Sequence, residues 1–482
     1  MNIFLTSICS LILTAGPAVP HPFAVGGDEH FPDNGTRRTI VSDLAERNLL
    51  RALELADSAF TRYFTGDGRA MARFYNPFTG ARSEEKGSVW MYTAAIEATN
   101  AILHALQAHD AHGSPHLYNR EAKRYRDRLA QLYDNLAYYR GTFELTSFTQ
   151  TREWSVYGVH RSATKGSAKV AGIENVYDDQ QWLVRELLHS YKLTGEPRYL
   201  EEAEYLTEYV LDGWDSTLDA SGEEHGGIPW GPGYTTKHAC SNGPFISPLV
   251  WLYEQYAGSD EETTHRYIAP DGSRKSTVVK KSDYYLQFAE SVYAWQKKHL
   301  LRVDGVYDDF LGGCRDCSVK YEEVNGGRYR AHTPLPRQVA PPYSYNTGSP
   351  LSGAVDLYRV TGNPQYLDDV RQLSDDSFRY FAKKSKQHSG YYEFATNGFN
   401  NWFNGVLMRA YVEAYPMYSD VDRYIQPFQQ NLDHGYTQFR RDGILPPDLL
   451  NGWGDDGDVE GMFAFTFAAE YALLSEYALE KE

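Results

Sequence analysis

Basic charge is scarce in this chain. Its 482 residues carry 47 Lys and Arg against 64 Asp and Glu, a formal net charge of -17. No long basic run appears, so a grip on nucleic acid or on an anionic membrane is not expected. Cysteine is scarcer still, at four residues. No Cys/His grouping has the spacing of a zinc site, and His225 and His238 lack a third ligand, so neither metal nor cofactor is expected. No apolar run is long enough to cross a bilayer; the longest, Ile3 to Ala15, is too short. The C-terminal "SEYALEKE" is charged, so no lipid-anchor tail is expected.

The N-terminus, "MNIFLTSICSLILTAGPAVPHPFAVGG", has an apolar run followed by small residues ending at Ala18. That pattern predicts a secretory leader over 1–18, a secreted or extracytoplasmic protein, and one domain over 19–482. It lacks the usual positive start, since the first basic residue is Arg37, and Ile8 before Cys9 fits a lipoprotein signal poorly. If Cys9 leaves with the leader, Cys240, Cys314 and Cys317 remain. In "GGCRDCSVK" two cysteines can close a small loop disulfide in an oxidising compartment, and two free thiols are the alternative. The bridge is the expectation for an exported chain. "DNGTRR" supplies a glycosylation sequon at Asn34, meaningful in a eukaryotic host.

What the chain has in quantity is helical periodicity. "VSDLAERNLLRALELADSAFTRYF" opens on Ser42 as an N-cap and places Leu49, Leu53, Ala56 and Phe60 on one stripe. Eleven more such patterns lie near 87–109, 119–140, 178–193, 197–211, 241–257, 281–300, 346–361, 363–384, 399–415, 419–434 and 459–481, with hardly any convincing strands. "YKLTGEPRYLEEAEYL" at 191–206 returns as "YRVTGNPQYLDDVRQL" at 358–373. Gly195 and Gly362 read as C-caps, and Pro197 and Pro364 as helix openers, so the unit is a repeated αα-hairpin. Twelve helices in six hairpins suggest an all-α fold closed into an (α/α)6 toroid. An open solenoid is the alternative, but it would need a shorter and steadier repeat. The long connections 141–177, 212–240, 258–280 and 301–345 are expected to gather at one end, where binding and chemistry usually sit.

Aromatic residues reach 14%, with 38 tyrosines. Such faces and hydroxyls suit sugars, although a tyrosine-rich core explains the composition equally well. The sharper signal is "NVYDDQQWLVRELLHSYKLTG" at 175–195, where Asp178 and Asp179 stand just before an apolar stripe. Glycoside cleavage needs two carboxyl groups, one to protonate the leaving oxygen and one to attack or to activate water. Adjacent acids can reach the separation of a retaining pair if the first lies outside the helix. The helix dipole favours the ionised acid, and that charge raises the pKa of its neighbour. Four other Asp-Asp pairs have plainer explanations. Asp368–Asp369 and Asp375–Asp376 fit a solvated helix face, while Asp308–Asp309 and Asp455–Asp456 fit turns.

Segments around this pair resemble glycoside hydrolase family 76, the endo-α-1,6-mannanases. The resemblance rests on "NVYDDQQWLVRELLHSYKLTGEPRYLEEA", "HGGIPWGPGYTTKHACSNGPF", "YSYNTGSPLSGAVDLYRVTGNPQYL" and "FNNWFNGVLMRAY", in that order, within residues 87 to 480. It implies an (α/α)6 barrel, retaining hydrolysis of α-1,6-mannan, Asp178 as nucleophile and Asp179 as acid/base. It also implies a groove lined by Trp230, Asn242, Tyr345, Asn346 and Trp402. Trp230 and Trp402 stand beside Gly and Asn in expected loops and suit sugar stacking, whereas Trp182 and Trp251 lie in helical stripes and read as core. On its residue type alone Asn346 reads as a turn or cap. Thr347 stands where the family usually has Gln, and Asn404 where it usually has Lys, which bears on subsite preference. The expected partner is a polysaccharide or oligosaccharide, bound by a monomer. The rivals are another toroid glycosidase or sugar epimerase, and a non-catalytic glycan-binding surface protein.

Overall fold

Helices dominate because apolar stripes of period 3.6 are punctuated by capping residues at nearly every end. The computed structural model describes residues 42–66, 70–454 and 457–481. The leader over 1–18, the Asn34 sequon and the pair Asp455–Asp456 lie outside the described residues. Twelve α-helices follow in order: α1 Asp43–Tyr63, α2 Val89–Ala111, α3 His116–Leu136, α4 Tyr177–Thr194, α5 Pro197–Asp212, α6 Ile246–Tyr256, α7 Lys281–Leu300, α8 Ser344–Thr361, α9 Pro364–Phe381, α10 Asn400–Ala414, α11 Asp422–Gln438 and α12 Gly461–Glu480. Ser42 caps α1 by accepting from the Ala45 amide at 3.2 Å. Gly195 and Gly362 end α4 and α8 at φ 71° and 65°, the left-handed conformation that costs a glycine little.

Neighbouring helices close a ring. The even-numbered helices pack in the cycle α2, α4, α6, α8, α10, α12 and back to α2, and the odd helices pack outside them. This is the (α/α)6 toroid. Residue patterning follows the layers. Outer α9 buries a single stripe, Tyr366, Asp369, Val370, Leu373, Ser374 and Ser377, whereas inner α12 is buried nearly all round. Trp182 and Trp251 are core residues, 4% and 8% exposed. Asp369 departs from the solvated face expected of it: it is buried and accepts from Tyr293 Oη at 2.6 Å and Lys297 Nζ at 2.7 Å. Cys314 and Cys317 are joined by a disulfide in a loop.

The six connections that run from an outer helix to the next inner one all arrive at the N-terminal ends of the inner helices. The connection over 257–280 is different. It leaves inner α6 at its C-terminal end, opposite the others. It forms a hairpin in which Glu262–Ile268 pairs antiparallel with Arg274–Lys280. Arg266 lies 4.0 Å from Glu208 on α5, and the His265 ring meets Phe288 on α7. At the tip, Arg274 Nε donates to the Phe148 carbonyl at 3.1 Å, and its guanidinium pairs with Glu322. The hairpin therefore climbs the outer wall and clips loops at the far end. A second hairpin pairs Arg140–Thr146 with Thr151–Tyr157. The 262–280 hairpin is hard to read from sequence because residues on both faces of its strands are exposed, so apolar alternation is weak. The 140–157 hairpin does alternate, with Leu145, Trp154 and Val156 buried opposite exposed Thr142, Glu144, Thr151 and Glu153.

Candidate active site

The first turn of α4 carries the paired acids. Val176 is extended at φ -131° and ψ 150°, and no side chain caps the helix. The Tyr177 amide donates instead to the Trp230 carbonyl at 2.8 Å, so a neighbouring loop closes the helix start. Gly231 makes this approach possible, since a Cβ there would stand 2.7 Å from the Asn175 carbonyl oxygen. Asp178 and Asp179 are the second and third helical residues. Both thus lie inside the helix, where the expectation had placed the first outside it. Gln180 bonds the Tyr157 backbone through both amide atoms, at 2.7 and 3.2 Å. Gln181 Nε2 donates to the Ser241 carbonyl at 2.7 Å. The segment Asp-Asp-Gln-Gln is therefore one unit, two acids followed by two anchors.

Three loops are stitched over this turn. Lys237–His238 pairs with Phe310–Gly312, which pairs with Arg337–Val339. The Ala239 amide donates to the Asp309 carbonyl at 2.8 Å. Asn346 Nδ2 reaches Asp309 Oδ1 at 3.4 Å. Tyr345 and Asn346 occupy the second and third positions of α8, the places that Asp178 and Asp179 hold in α4. The repeated hairpin thus delivers two equivalent helix starts to one site, one bearing acids and the other a phenol and an amide.

The electrostatics separate the carboxyl groups. Burial pushes Asp178 up to about 6, while the neighbouring Cys240 and Trp230 side chains and the first-turn amides restrain the rise. Asp179 is 5% exposed; burial and the adjacent Asp178 charge both drive it well above the usual carboxylate range, and nothing offsets them. Asp309 is also pushed up to about 6, by burial first, against the Asn346 hydrogen bond and with the Asp178 charge adding to the rise. Asp309 is therefore a third acid of this site, not a separate turn acid. His238 is stacked between Trp230 and Phe310, with ring centroids at 4.8 and 4.5 Å, and burial pushes it down to about 3. It is a neutral ring at working pH.

Not every residue expected in the groove faces it. Asn242 is fully buried, and its amide is spent on backbone: it accepts from Ile228 N at 2.8 Å and donates to the Ile228 and His238 carbonyls at 3.0 and 2.8 Å. It shapes the loop and does not line the groove. Trp402 lies inside α10, 3% exposed, edge-on to Trp182, with Nε1 donating to Glu97 at 3.2 Å. It packs beneath the site and offers no open stacking face. Thr347 accepts from the Tyr307 amide at 3.2 Å. Asn404 accepts from Ser344 Oγ and donates to the Ala395 carbonyl, both at 2.8 Å. These two departures from the family pattern are therefore internal supports. Trp230, Tyr345 and Asn346 do border the acids. Asp178 Oδ1, Trp230 Nε1 and Asn346 Oδ1 are buried polar atoms without hydrogen-bond partners. Buried polar atoms are normally paired, so three orphans in one place mark where a polar ligand would sit.

The sequence profile of glycosyl hydrolase family 76 matches residues 129–261 and 276–440. The break between the two stretches falls in the 262–280 hairpin. No curated protein matches the chain. Among solved structures, the fold is similar to the family 76 mannosidase Bt3792 from Bacteroides thetaiotaomicron VPI-5482, at 20% identity and TM-score 0.65, covering 90% of this chain and 100% of that one. It is similar to the GH76A α-1,6-mannanase of Salegentibacter sp. HEL1_6, at 18% identity and TM-score 0.57, with 90% and 100% covered. An inactive variant of that mannanase, carrying Asp-to-Asn changes at two consecutive positions and bound to α-1,6-mannotriose, matches at 19% identity and TM-score 0.57, again with 90% and 100% covered. The profile match spans well over half of the sequence, and the protein belongs to glycosyl hydrolase family 76.

Proposed function

We propose that this glycoside hydrolase cleaves α-1,6-mannosidic linkages in mannan by a retaining, two-step mechanism. The observation that carries the reading is the Asp178–Asp179 pair in the first turn of α4, whose two environments differ in one direction. Asp178 has helix-start amides to stabilise its charge. Asp179 has burial and a charged neighbour to keep its proton.

Asp178 attacks the anomeric carbon as its carboxylate. The bond from that carbon to the leaving oxygen breaks, and the Asp179 proton passes to the oxygen. Water then attacks the same carbon, giving its proton to the Asp179 carboxylate, and the Asp178 ester bond breaks. Two inversions restore the starting configuration. Trp230, Tyr345 and Asn346 line the sugar site, with the orphaned atoms of Trp230 and Asn346 placed for hydroxyl groups. The mannan substrate is supported by the family and by the mannotriose bound to the Salegentibacter neighbour. Action outside the cytoplasm is supported by the leader-like stretch over 1–18. A purely glycan-binding role gives no reason to hold two carboxyl groups in adjacent, differently tuned positions.

The test is incubation with linear α-1,6-mannan, following the anomeric proton of the first-formed product by NMR. Shortened chains with an α-anomer first support the reading. A β-anomer first refutes the two-step path. Binding without cleavage refutes the hydrolase.

A further inference from the structure

Trp230 opens a loop, 230–236, that belongs to no helix or strand. Its amide closes the loop by donating to the Thr236 carbonyl at 2.9 Å, and the Tyr234 amide turns back to the Gly231 carbonyl at 3.0 Å. Two further carbonyls of the loop are held by one residue. Arg330 is 4% exposed; its Nη1 donates to the Pro232 carbonyl at 3.2 Å and its Nη2 to the Tyr234 carbonyl. A planar guanidinium fork suits two acceptors in fixed register. Arg330 is itself placed from outside. It ends the strand Gly327–Arg330, which pairs with Tyr321–Val324 so that Glu322 stands opposite Tyr329. Successive strand residues point to opposite faces, so Arg330 turns toward the loop and Tyr329 away from it. On the far side waits Arg274, at the tip of the 262–280 hairpin. It pairs with Glu322 at 2.5 Å, and its guanidinium carbon lies 4.4 Å from the Tyr329 ring centroid. Both arginines also hold one turn: the Arg330 amide donates to the Ser147 carbonyl at 2.8 Å, and Arg274 Nε to the Phe148 carbonyl at 3.1 Å.

We propose that Arg330 and Arg274 are positioning residues: they form a brace that sets the Trp230 indole against the sugar site, with the 262–280 hairpin as its outer arm. The inference rests on the reading of Trp230 as a sugar-site residue. The Tyr234 ring packs on the Trp230 ring, centroids 4.6 Å apart, so one carbonyl that Arg330 holds belongs to the residue backing the indole. The Trp230 carbonyl closes the start of α4, so the same loop reaches the turn that carries the acids. Neither arginine touches substrate; both act through the loop. A lysine at 330 would keep the charge but not the fork. The match to the family profile is interrupted over 262–275, the stretch that carries Arg274. The outer arm is therefore this chain's own addition to the family scaffold, and it tunes the grip on the glycan from the outer wall.

The test is steady-state kinetics of the full chain on an α-1,6-mannan oligosaccharide, with KM and kcat separated and melting temperature measured alongside. The variants are Arg330→Met, Arg330→Lys, Arg274→Ala and Trp230→Ala, and each arginine variant is also made in the Trp230→Ala background. Arg330→Met leaves two loop carbonyls without their donor, so KM rises about tenfold while kcat falls by less. Arg330→Lys recovers part of the loss. Arg274→Ala leaves the loop's own bonds in place and raises KM about threefold. In the Trp230→Ala background neither arginine change raises KM further, because the ring they position is gone. A folded Arg330→Met with wild-type KM overturns the brace. So do arginine and Trp230 effects on KM that multiply, which mark a merely structural role. If Arg330→Met does not fold, Arg274→Ala decides: a wild-type KM there overturns the outer arm. A wild-type KM in Trp230→Ala is a different result, since it removes Trp230 from the sugar site and with it the reading on which the brace rests.

Discussion

Replacing Asp178 by Asn should abolish hydrolysis and at the same time make the folded protein more stable at neutral pH. In the folded state Asp178 is held near 6 against an ordinary value of 3.8. A carboxyl whose folded value is raised binds its proton more tightly folded than unfolded. Its contribution to stability is therefore complete below the unfolded value and is lost as pH climbs from about 4 to about 6. A shift of about two units corresponds to about 3 kcal/mol forfeited at pH 7 and above. Asparagine has no charge to desolvate. It keeps an acceptor for the first-turn amides, but puts an NH2 where Oδ1 now lies without a partner, which costs about 1 kcal/mol. The net gain of about 2 kcal/mol raises the melting temperature by about 2 °C in a domain of this size. Calorimetric melts of wild type and variant from pH 4 to 8 read it directly. The variant should melt slightly below wild type near pH 4, cross it as pH rises, and lie above it beyond pH 6. A variant less stable than wild type at pH 7.5, or a difference independent of pH, would show that Asp178 is not held against its charge.

The kcat/KM profile should rise through about 6 as Asp178 ionises and fall only well above the usual carboxylate range, where Asp179 loses its proton; a maximum below pH 4 contradicts this order. Asp179→Asn should lose most activity on mannan, where the leaving oxygen needs a proton. It should still release an activated aryl group, with azide accelerating turnover and giving the α-configured azide product; equal loss on both substrates counts against Asp179 as the acid. Alkylation of the native, unreduced protein should leave Cys314 and Cys317 unlabelled in a peptide map; labelling of both would contradict the bridge.

The helical frame could be read from the sequence because its punctuation is explicit. Pro197 and Gly195 bracket the α4–α5 turn, and α7 begins and ends where its stripe does, at 281 and 300. Where tertiary contacts decide, the pattern loses its grip. α6 begins at Ile246 and not at 241, because Gly243–Phe245 forms a separate 3-10 turn around Pro244. The acids at 178 and 179 are legible as a pair because they are adjacent. Asp309 and Cys240 are not, since strand pairing between two long loops brings them there. Asn242 and Trp402 show the opposite failure. Residue type suits a sugar groove, but sequence does not reveal that the Asn242 amide is consumed by backbone or that the Trp402 indole is sealed under Glu97.

The ring is closed by its two ends: α1 packs against α12, and α12 supplies the last inner wall beside α2 and α10. During synthesis the opening helix leaves the ribosome first and its partner leaves last. The inner helices accumulate one by one, five of them by residue 414, with an uncovered seam, because the segment that seals it does not yet exist. Local hairpins such as α4–α5 can form early, whereas closure has the longest sequence separation the chain allows and is slow on that account. A premature stop ahead of residue 461 would therefore leave an open crescent with an apolar edge. Such a product is a substrate for proteases and chaperones, whatever its intact catalytic turn.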